Sequence, residues 1–148
     1  MQEFIAKNKK AYHDYHVLDE LEAGIVLLGT EVKAIREHRV NLKDSFARVQ
    51  GGEVWLMNCH IAAYKHGNRD NHEPRRRRKL LLHRRQIDKL LGKANQKGLT
   101  LVPLAIYFKD GKAKVRLAIA KGKQIYDKRE AKRKKIIERE IQAQLKGR

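Results

Sequence analysis

This chain of 148 residues has few of the features that mark secreted and membrane proteins. It has a single cysteine, Cys59, so no disulfide can form within the chain, which favours a reducing compartment. Its longest apolar run, residues 101–108, is far shorter than the roughly 20 residues that span a bilayer. Residues 1–10 lack the apolar stretch of a secretory signal. We therefore expect a cytoplasmic protein with no membrane partner.

Acidic residues are also scarce, at 17 Asp and Glu against 35 Lys and Arg. The resulting formal net charge of +18 opposes compaction of a monomer and attracts polyanions. Hydrophobic residues still make up 41% of the chain, which argues against disorder throughout. The length suits one domain.

Alternating apolar and polar residues predict strands in the first half of the chain. Residues 11–18 alternate, and residues 25–28 form an apolar run that is another strand or a continuation of the first. Residues 46–50 and 53–64 flank Gly51-Gly52, a pair typical of a tight hairpin turn. On one face of the second of these strands we expect Trp55, Met57, Cys59 and Ile61.

Apolar side chains recur at helical spacing in two segments. Thr30 is expected to cap a short helix over residues 31–36. A longer amphipathic helix is expected to end before Gly98, with a stripe formed by Ile87, Leu90, Leu91 and Ala94. Residues 65–79 have no apolar period and are predicted to form a loop.

Two more strands follow the amphipathic helix. Residues 101–108 are apolar on both faces, as in a buried strand, and Pro103 implies an edge or a bulge there. The Asp110-Gly111 turn leads into residues 113–120, where Lys114 and Arg116 face outward. This order of strands with one interposed helix predicts a mainly β fold, a small antiparallel barrel of OB-like plan with short helices.

The C-terminal region, residues 127–148, is predicted to be a basic tail separate from a barrel domain over residues 1–126. Its narrow apolar stripe of Ile137, Ile141 and Leu145 buries too little area to offset about 1–2 kcal/mol of backbone entropy per residue. We expect the tail to be largely disordered alone and helical when a partner holds it.

Three basic clusters, at residues 7–10, 75–79 and 128–135, predict binding to nucleic acid through its phosphates. RNA is favoured over duplex DNA because no pair of recognition helices is present and OB-like barrels suit single-stranded or irregular RNA. Tyr12, Tyr15 and Tyr126 lie beside basic residues, where a ring can stack on an unpaired base. Tyr12 and Tyr15 are equally compatible with the core.

The sequence contains no phosphate-binding loop, GxSxG motif or HExxH motif. His13 and His16 would face opposite sides of a strand, which disfavours a metal pair. Four carboxylates lie close together in the sequence: Asp14, Asp19, Glu20 and Glu22. They could bind magnesium in a nuclease, which is one alternative, although pairing with nearby Lys or Arg is the simpler interpretation. We expect no catalytic residue, metal, cofactor or small-molecule substrate.

Six short runs occur in a fixed order from Asn8 into the tail. They are Asn8-Lys9-Lys10-Ala11-Tyr12-His13-Asp14-Tyr15, Glu22-Ala23-Gly24-Ile25, Gly29-Thr30-Glu31-Val32-Lys33, Arg78-Lys79-Leu80-Leu81-Leu82, Ala120-Lys121-Gly122-Lys123 and Asp127-Lys128-Arg129. In order and spacing they resemble the bacterial SsrA-binding protein family, also called small protein B. One segment departs from it, because this chain has Glu37-His38-Arg39 where the family often has a glycine.

The resemblance implies a closed antiparallel barrel with an OB-like core and a non-enzymatic role in trans-translation. The barrel would bind the tRNA-like domain of transfer-messenger RNA (tmRNA) and deliver it to stalled ribosomes. The tail would become helical in the empty messenger channel, reaching from the decoding centre. Glu22, Leu81 and Lys114 match positions that the family uses for tmRNA, and Tyr126 with Asp127-Lys128-Arg129 matches the stretch that leads into the decoding centre.

Charge and resemblance together give two sets of predicted site residues. The RNA-binding set is Lys7, Asn8, Lys9, Lys10, Tyr12, His13, Glu22, Lys33, Arg36, Arg76, Arg78, Lys79, Leu81, Lys114, Arg116, Lys121 and Lys123. The ribosome-binding set is Tyr126, Asp127, Lys128, Arg129, Lys132, Arg133, Lys134 and Lys135. Besides the nuclease, the alternative is a general basic RNA-binding or ribosomal structural protein.

Overall fold

A computed structural model describes residues 2–64, 71–96, 98–123 and 132–141. In chain order its elements are β1 (Gln2–Lys7), α1 (Lys9–Asp14), β2 (Tyr15–Ile25), α2 (Gly29–Arg36), β3 (Val40–Asn41), β4 (Phe46–Gln50), β5 (Glu53–Met57), β6 (His60–Ile61), β7 (Arg78–Leu81), α3 (Arg84–Ala94), β8 (Leu99–Lys109) and β9 (Lys112–Gly122). Residues 132–141 form a further helix. Within these ranges no helix is both long and apolar enough to cross a membrane.

Six of the strands pair in a closed ring, in the order β8, β4, β5, β7, β2, β9 and back to β8. All of these pairings are antiparallel. The 11 residues of β8 make the closure possible, because β9 pairs along one edge while β1 and β4 share the other. β1 therefore lies outside the ring. The predicted mainly β fold with flanking helices is confirmed.

Apolar side chains from every strand of the ring meet inside it, among them Val54, Leu56, Leu80, Ile106 and Leu117. Ile35 of α2 and Leu90 of α3 join the same core. A smaller core lies between α1 and the outer faces of β8 and β9 and contains Ala11, Val102, Leu104, Ala118 and Ala120. The inward side chains are therefore occupied in core packing, so a surface that binds a partner must lie on the outer faces that no helix covers.

Residues 11–14 are helical, so the strand predicted over residues 11–18 is wrong in its first half. The side chain of Asn8 accepts a hydrogen bond from the backbone N–H of Ala11 at 3.1 Å and thereby caps α1. From Tyr15 one strand continues to Ile25, and residues 26–28 form no strand of their own. A side-chain cap of this kind stabilises a helix in a segment whose alternating pattern predicts a strand, and the alternation itself gives no sign of the cap.

The strand predicted over residues 53–64 breaks at Asn58, whose φ is 57°. β5 ends just before it, and the left-handed residue reverses the alternation of the strand. Val54 and Leu56 face the core before the break, whereas Cys59 and Ile61 do so after it. The prediction that Trp55 and Met57 share a face with Cys59 is therefore wrong.

Both predicted hairpin turns are confirmed. Gly51-Gly52 joins β4 to β5, and Asp110-Gly111 joins β8 to β9, with φ between 53° and 77° at all four residues. The register of β8 against β9 shifts between Pro103 and Ala105, which is the irregularity that the proline predicts.

Two other boundaries differ from the prediction. α2 begins at Gly29 with Leu28 as its N-cap, and the Thr30 hydroxyl instead lies 2.8 Å from His72 Nδ1. Arg78 and Lys79 belong to β7 rather than to a loop, because they pair with Leu56 and Trp55 of β5. The predicted amphipathic helix is present as α3.

Candidate nucleic-acid interface

The outer faces of β2, β7 and β9 bring together Glu22, Leu81 and Lys114. Gly24 of β2 pairs with Leu81 on one side and with Lys114 on the other. Glu22 stands two residues before Gly24 and so shares its face of the strand. A groove of about 360 Å³ is lined by Glu22, Gly24, Leu81, Leu82, His83, Gln86 and Lys114. Sheet pairing thus unites three residues that lie far apart in the sequence.

The absence of a side chain at Gly24 allows β7 to approach closely. A Cβ added at Gly24 would lie 3.2 Å from the Cβ of Leu81, which is tighter than ordinary van der Waals contact. Leu81 is packed against β2 at its base and is still 50% exposed. Its exposed tip, next to Lys114, offers an apolar contact for a ribose or base beside a cation for a phosphate.

Glu22 is a fixed acceptor on this cationic face. The Tyr107 hydroxyl donates a hydrogen bond to Glu22 Oε1 at 2.6 Å, and Lys109 Nζ lies 3.4 Å from Oε2. The hydrogen bond from Tyr107 and the nearby lysines hold the pKa of Glu22 below its ordinary value. Burial and the bond to Glu22 raise the pKa of Tyr107 to about 12. Tyr107 therefore remains the donor and Glu22 the carboxylate at neutral pH.

α2 borders a second depression, of about 290 Å³, that adjoins this groove. Its lining includes Val32 of α2 and Phe108, together with Leu81 and Lys114, which also line the groove. The predicted cations of α2 are exposed and lie over aromatic rings, Lys33 Nζ at 5.4 Å from the centroid of Tyr64 and Arg36 at 4.6 Å from that of Phe108. Both add positive charge to the surface that α2 presents, which attracts a polyanion.

The arginine run does not lie wholly on the surface. The Arg78 side chain is fully buried and bonds to Glu31, Cys59 O and Pro74 O. Arg76 is also bound to Glu31, at 2.6 Å, but remains about one-third exposed. Burial alone would raise the pKa of Glu31, yet the hydrogen bonds from Arg76, Leu28 and Arg78 hold it below its ordinary value. The prediction that Arg78 contacts RNA is corrected, because its guanidinium is enclosed in this ion-pair network.

In the basic segment over residues 7–10, one side chain is buried and the three lysines are exposed. The Asn8 side chain is buried, and its Nδ2 donates to Leu42 O at 3.2 Å and to Pro103 O at 2.9 Å. Its predicted contact with RNA is therefore corrected to a structural role. Lys7 and Lys9 are exposed, and Lys10 forms an exposed ion pair with Asp44.

α1 and the end of β9 form a second group of predicted residues. Tyr12 is 48% exposed, His13 Nδ1 lies 3.0 Å from Asp14, and Lys123 Nζ donates to Tyr12 O at 3.3 Å. Lys121 is exposed on the same strand. Lys121 lies seven residues after Lys114 on β9, which corresponds to about 23 Å along the strand at roughly 3.3 Å per residue. This group is therefore separate from the groove.

The carboxylates of the nuclease alternative do not converge. Asp19 pairs with Lys89, Glu20 approaches Arg116 at 3.9 Å, and Glu22 is bound to Tyr107. Within the described part of the chain, no group of three or more His, Cys, Asp or Glu side chains is placed to hold a metal ion.

Of the predicted ribosome-binding residues, Tyr126, Asp127, Lys128 and Arg129 lie outside the described residues. Lys132, Arg133, Lys134 and Lys135 begin the helix over residues 132–141 and are exposed. The predicted ordering of the tail on a partner stays a prediction.

Sequence reasoning missed several aromatic side chains of the outer faces. Tyr107 positions Glu22, Phe4 packs on Tyr107, and the Arg77 guanidinium lies 4.3 Å from the ring centroid of Trp55. The apolar run Phe4-Ile5-Ala6 before Lys7 is the available signal for β1. No local pattern indicates that this strand pairs with β8, about 100 residues away in the sequence.

The family model described as SmpB protein matches residues 5–147. The chain belongs to the SmpB protein family. Two of its relatives, each named SsrA-binding protein, come from Carboxydothermus hydrogenoformans and Sulfurihydrogenibium. The first is 60% identical over 148 residues, covering 100% of this chain and 99% of the relative. The second is 56% identical over 146 residues, covering 99% and 96%.

A solved structure described as "tmRNA-SmpB: a journey to the center of the bacterial ribosome" is also similar to this SmpB family member. It aligns with a TM-score of 0.69 and 53% sequence identity, covering 81% of this chain and 85% of that chain. The family resemblance noted in the sequence is confirmed.

Proposed function

We propose that this protein is a non-enzymatic adaptor that binds the tRNA-like domain of tmRNA and delivers it to stalled ribosomes for trans-translation. The observation that carries the proposal is the convergence of Glu22, Leu81 and Lys114 on one groove of a chain with a net charge of +18. The names of its relatives, SsrA-binding protein, and the solved tmRNA-SmpB structure support the same partner.

The groove offers three kinds of contact to RNA. Lys114 neutralises a phosphate, which supplies affinity but no sequence information. Leu81 packs on a ribose or a base. The ionised Glu22 accepts hydrogen bonds from a base or a 2′-hydroxyl, and its negative charge repels phosphate, so it favours one orientation of the RNA.

We also propose that the ring of strands is a closed barrel of OB-like plan. The ring order and the antiparallel pairings support this, and small barrels of this kind bind oligonucleotides on an outer sheet face. Its place of action would be the cytoplasm, where ribosomes translate.

The tail, residues 127–148, is proposed to enter the messenger channel of the ribosome. The exposed cations Lys132–Lys135 support binding to ribosomal RNA. Ile136, Ile137 and Ile141 are 52–55% exposed, so the helix over residues 132–141 has apolar surface to bury on a partner. Ordering of the tail costs conformational entropy, which contacts with the channel wall must offset. Messenger RNA in the channel would exclude those contacts, so binding is favoured only where the channel is empty.

A competition assay tests the tmRNA interaction. At physiological salt, labelled tmRNA should be displaced by unlabelled tmRNA at far lower concentration than by bulk tRNA. Lys114→Gln should weaken tmRNA binding more than Lys43→Gln, a matched loss of one exposed charge elsewhere. Equal competition by tRNA, with equal effects of both variants, would favour the alternative of a general basic RNA-binding protein.

A truncation separates the two parts of the proposal. Removal of residues 127–148 should leave tmRNA affinity nearly intact and abolish peptide tagging in a reconstituted translation system. Loss of both together would contradict the two-part arrangement. Incubation of the full chain with labelled RNA and magnesium provides the test for a nuclease, since cleavage that Asp14→Ala removes would contradict a non-enzymatic role.

A further inference from the structure

Phe4 is an exposed aromatic side chain that the proposed tmRNA contacts do not use. It lies on β1, the strand outside the ring, and is 40% exposed. It pairs in register with Tyr107 of β8, and the two ring centroids are 5.3 Å apart. Because paired residues share a face of the sheet, Phe4 lies on the same outer face as Tyr107 and the Glu22 that Tyr107 binds.

Two cations surround the Phe4 ring. Lys7 Nζ lies 5.1 Å from its centroid and the Arg116 guanidinium carbon lies 5.7 Å from it. Arg116 is also 5.6 Å from the centroid of Tyr107 and pairs in register with Glu22 on β2. We call Phe4, Lys7, Tyr107 and Arg116 the Phe4 cluster. It continues the cationic face from Glu22 across β9 and β8 to β1.

The interaction energies favour replacement of the Lys7 ammonium on the Phe4 ring by a stacked base. An exposed cation–π contact contributes about 0.5–1 kcal/mol, whereas a base stacked on an aromatic ring contributes about 1–3 kcal/mol. Lys7 is exposed and its stem is flexible, so its ammonium can leave the ring for a phosphate at little cost. Arg116, whose side chain is 34% exposed, stays beside the ring as a second phosphate contact.

We propose that the Phe4 cluster is a subsite for one unpaired nucleotide of the bound RNA. Its base stacks on Phe4, and its flanking phosphates contact Lys7 and Arg116. The subsite rests on the proposed tmRNA function and enlarges its surface by one strand. The recognition is through stacking, so it tolerates any base but requires that the base be unpaired.

Three variants test the subsite in binding assays between the full chain and tmRNA. Phe4→Leu keeps apolar bulk but removes the ring and should weaken binding by about 5- to 100-fold. Phe4→Trp restores a larger ring and should bind at least as tightly as wild type. Leu91→Ala on α3 is the matched control, because Leu91 is a similarly exposed apolar residue, at 45%, and should leave affinity unchanged.

Salt dependence and fluorescence distinguish stacking from charge. Phe4→Leu should leave the slope of log affinity against log salt unchanged, whereas Lys7→Gln should reduce its magnitude by roughly 0.7–0.9. In the Phe4→Trp variant, tmRNA should quench tryptophan emission beyond the quenching seen in wild type, where Trp55 is the single tryptophan.

The outcomes separate the subsite from the function on which it rests. If wild type prefers tmRNA over bulk tRNA but Phe4→Leu binds within twofold of it, the subsite is refuted and the tmRNA function stands. If Phe4→Leu and Phe4→Trp both bind weakly and both melt at lower temperature, Phe4 is a packing residue and the subsite is again refuted. If wild type shows no preference for tmRNA, the proposed function fails first.

Discussion

Replacement of Glu31 by glutamine should strongly destabilise the fold. The Glu31 side chain is fully buried, and it accepts hydrogen bonds from Leu28 N at 2.8 Å, from Arg76 at 2.6 Å and from Arg78. Glutamine has nearly the same shape but carries no charge and replaces one acceptor with an NH₂ donor. That donor would face an arginine, and Arg78 would remain buried as an unpaired cation.

The size of the effect follows from the burial of the pair. Removal of one partner of a buried ion pair costs about 3–5 kcal/mol, because the other charge stays desolvated. For a chain of this length, that corresponds to a fall of about 6–20 °C in melting temperature at roughly 2–4 °C per kcal/mol. The bonds from Arg78 to Cys59 O, at 2.7 Å, and to Pro74 O, at 3.1 Å, survive the change and favour the lower half of this range.

Thermal and denaturant unfolding followed by circular dichroism would measure this loss. Asp44→Asn is the control, because it removes a carboxylate whose pairing with Lys10 is exposed, and it should barely change the midpoint. The double variant Glu31→Gln with Arg78→Met should recover part of the loss, since the fully buried guanidinium is then absent and Arg76, about one-third exposed, can turn toward water. A midpoint for Glu31→Gln within 2 °C of wild type would refute the reasoning.

Three further predictions concern pH, capping and the position of Glu22. The folded state holds the pKa of Glu31 below its ordinary value. The stability that this carboxylate contributes is therefore present above the ordinary carboxyl pKa of about 4.3 and is lost as the pH falls toward the folded pKa. In unfolding titrations below about pH 4.5, wild type should lose stability more steeply than Glu31→Gln. Asn8→Ala should cost about 2–4 kcal/mol in denaturant unfolding, because it removes the cap of α1 and the two buried hydrogen bonds that Asn8 Nδ2 donates to Leu42 O and Pro103 O. The exposed Asn41→Ala should cost much less. Tyr107→Phe should raise the pKa of Glu22 in carboxyl NMR titrations and weaken tmRNA binding about two- to tenfold; an unchanged pKa would contradict the hydrogen bond as its main cause.

The hairpins and the amphipathic helix were predictable because their signals are local. Gly51-Gly52 and Asp110-Gly111 provide the positive φ that tight turns need, and the stripe from Ile87 to Ala94 repeats over two helical turns. The errors lie where a single residue overrides a pattern. Asn8 caps a helix inside an alternating segment, and Asn58 reverses the alternation after β5.

The candidate site was predictable only in part. Glu22, Leu81 and Lys114 followed from a family resemblance, and their proximity comes from the pairing of Gly24 with both neighbouring strands. The burial of Arg78 was not predictable from a run of basic residues, since its neighbours Arg75 and Arg77 are exposed. Nothing near Phe4 in the sequence points to Tyr107 or Arg116, which meet it only through long-range pairing.

The sequence by itself determined the excess of positive charge, the turns, the amphipathic helix and the family. Each of these depends on composition or on residues close together along the chain. Only the tertiary structure decided which cations face outward, which carboxylate is enclosed with Arg76 and Arg78, and which aromatic rings lie beside Glu22. These depend on strand pairing and burial between distant segments, because desolvation decides whether an arginine pairs inside the protein or remains available to a phosphate.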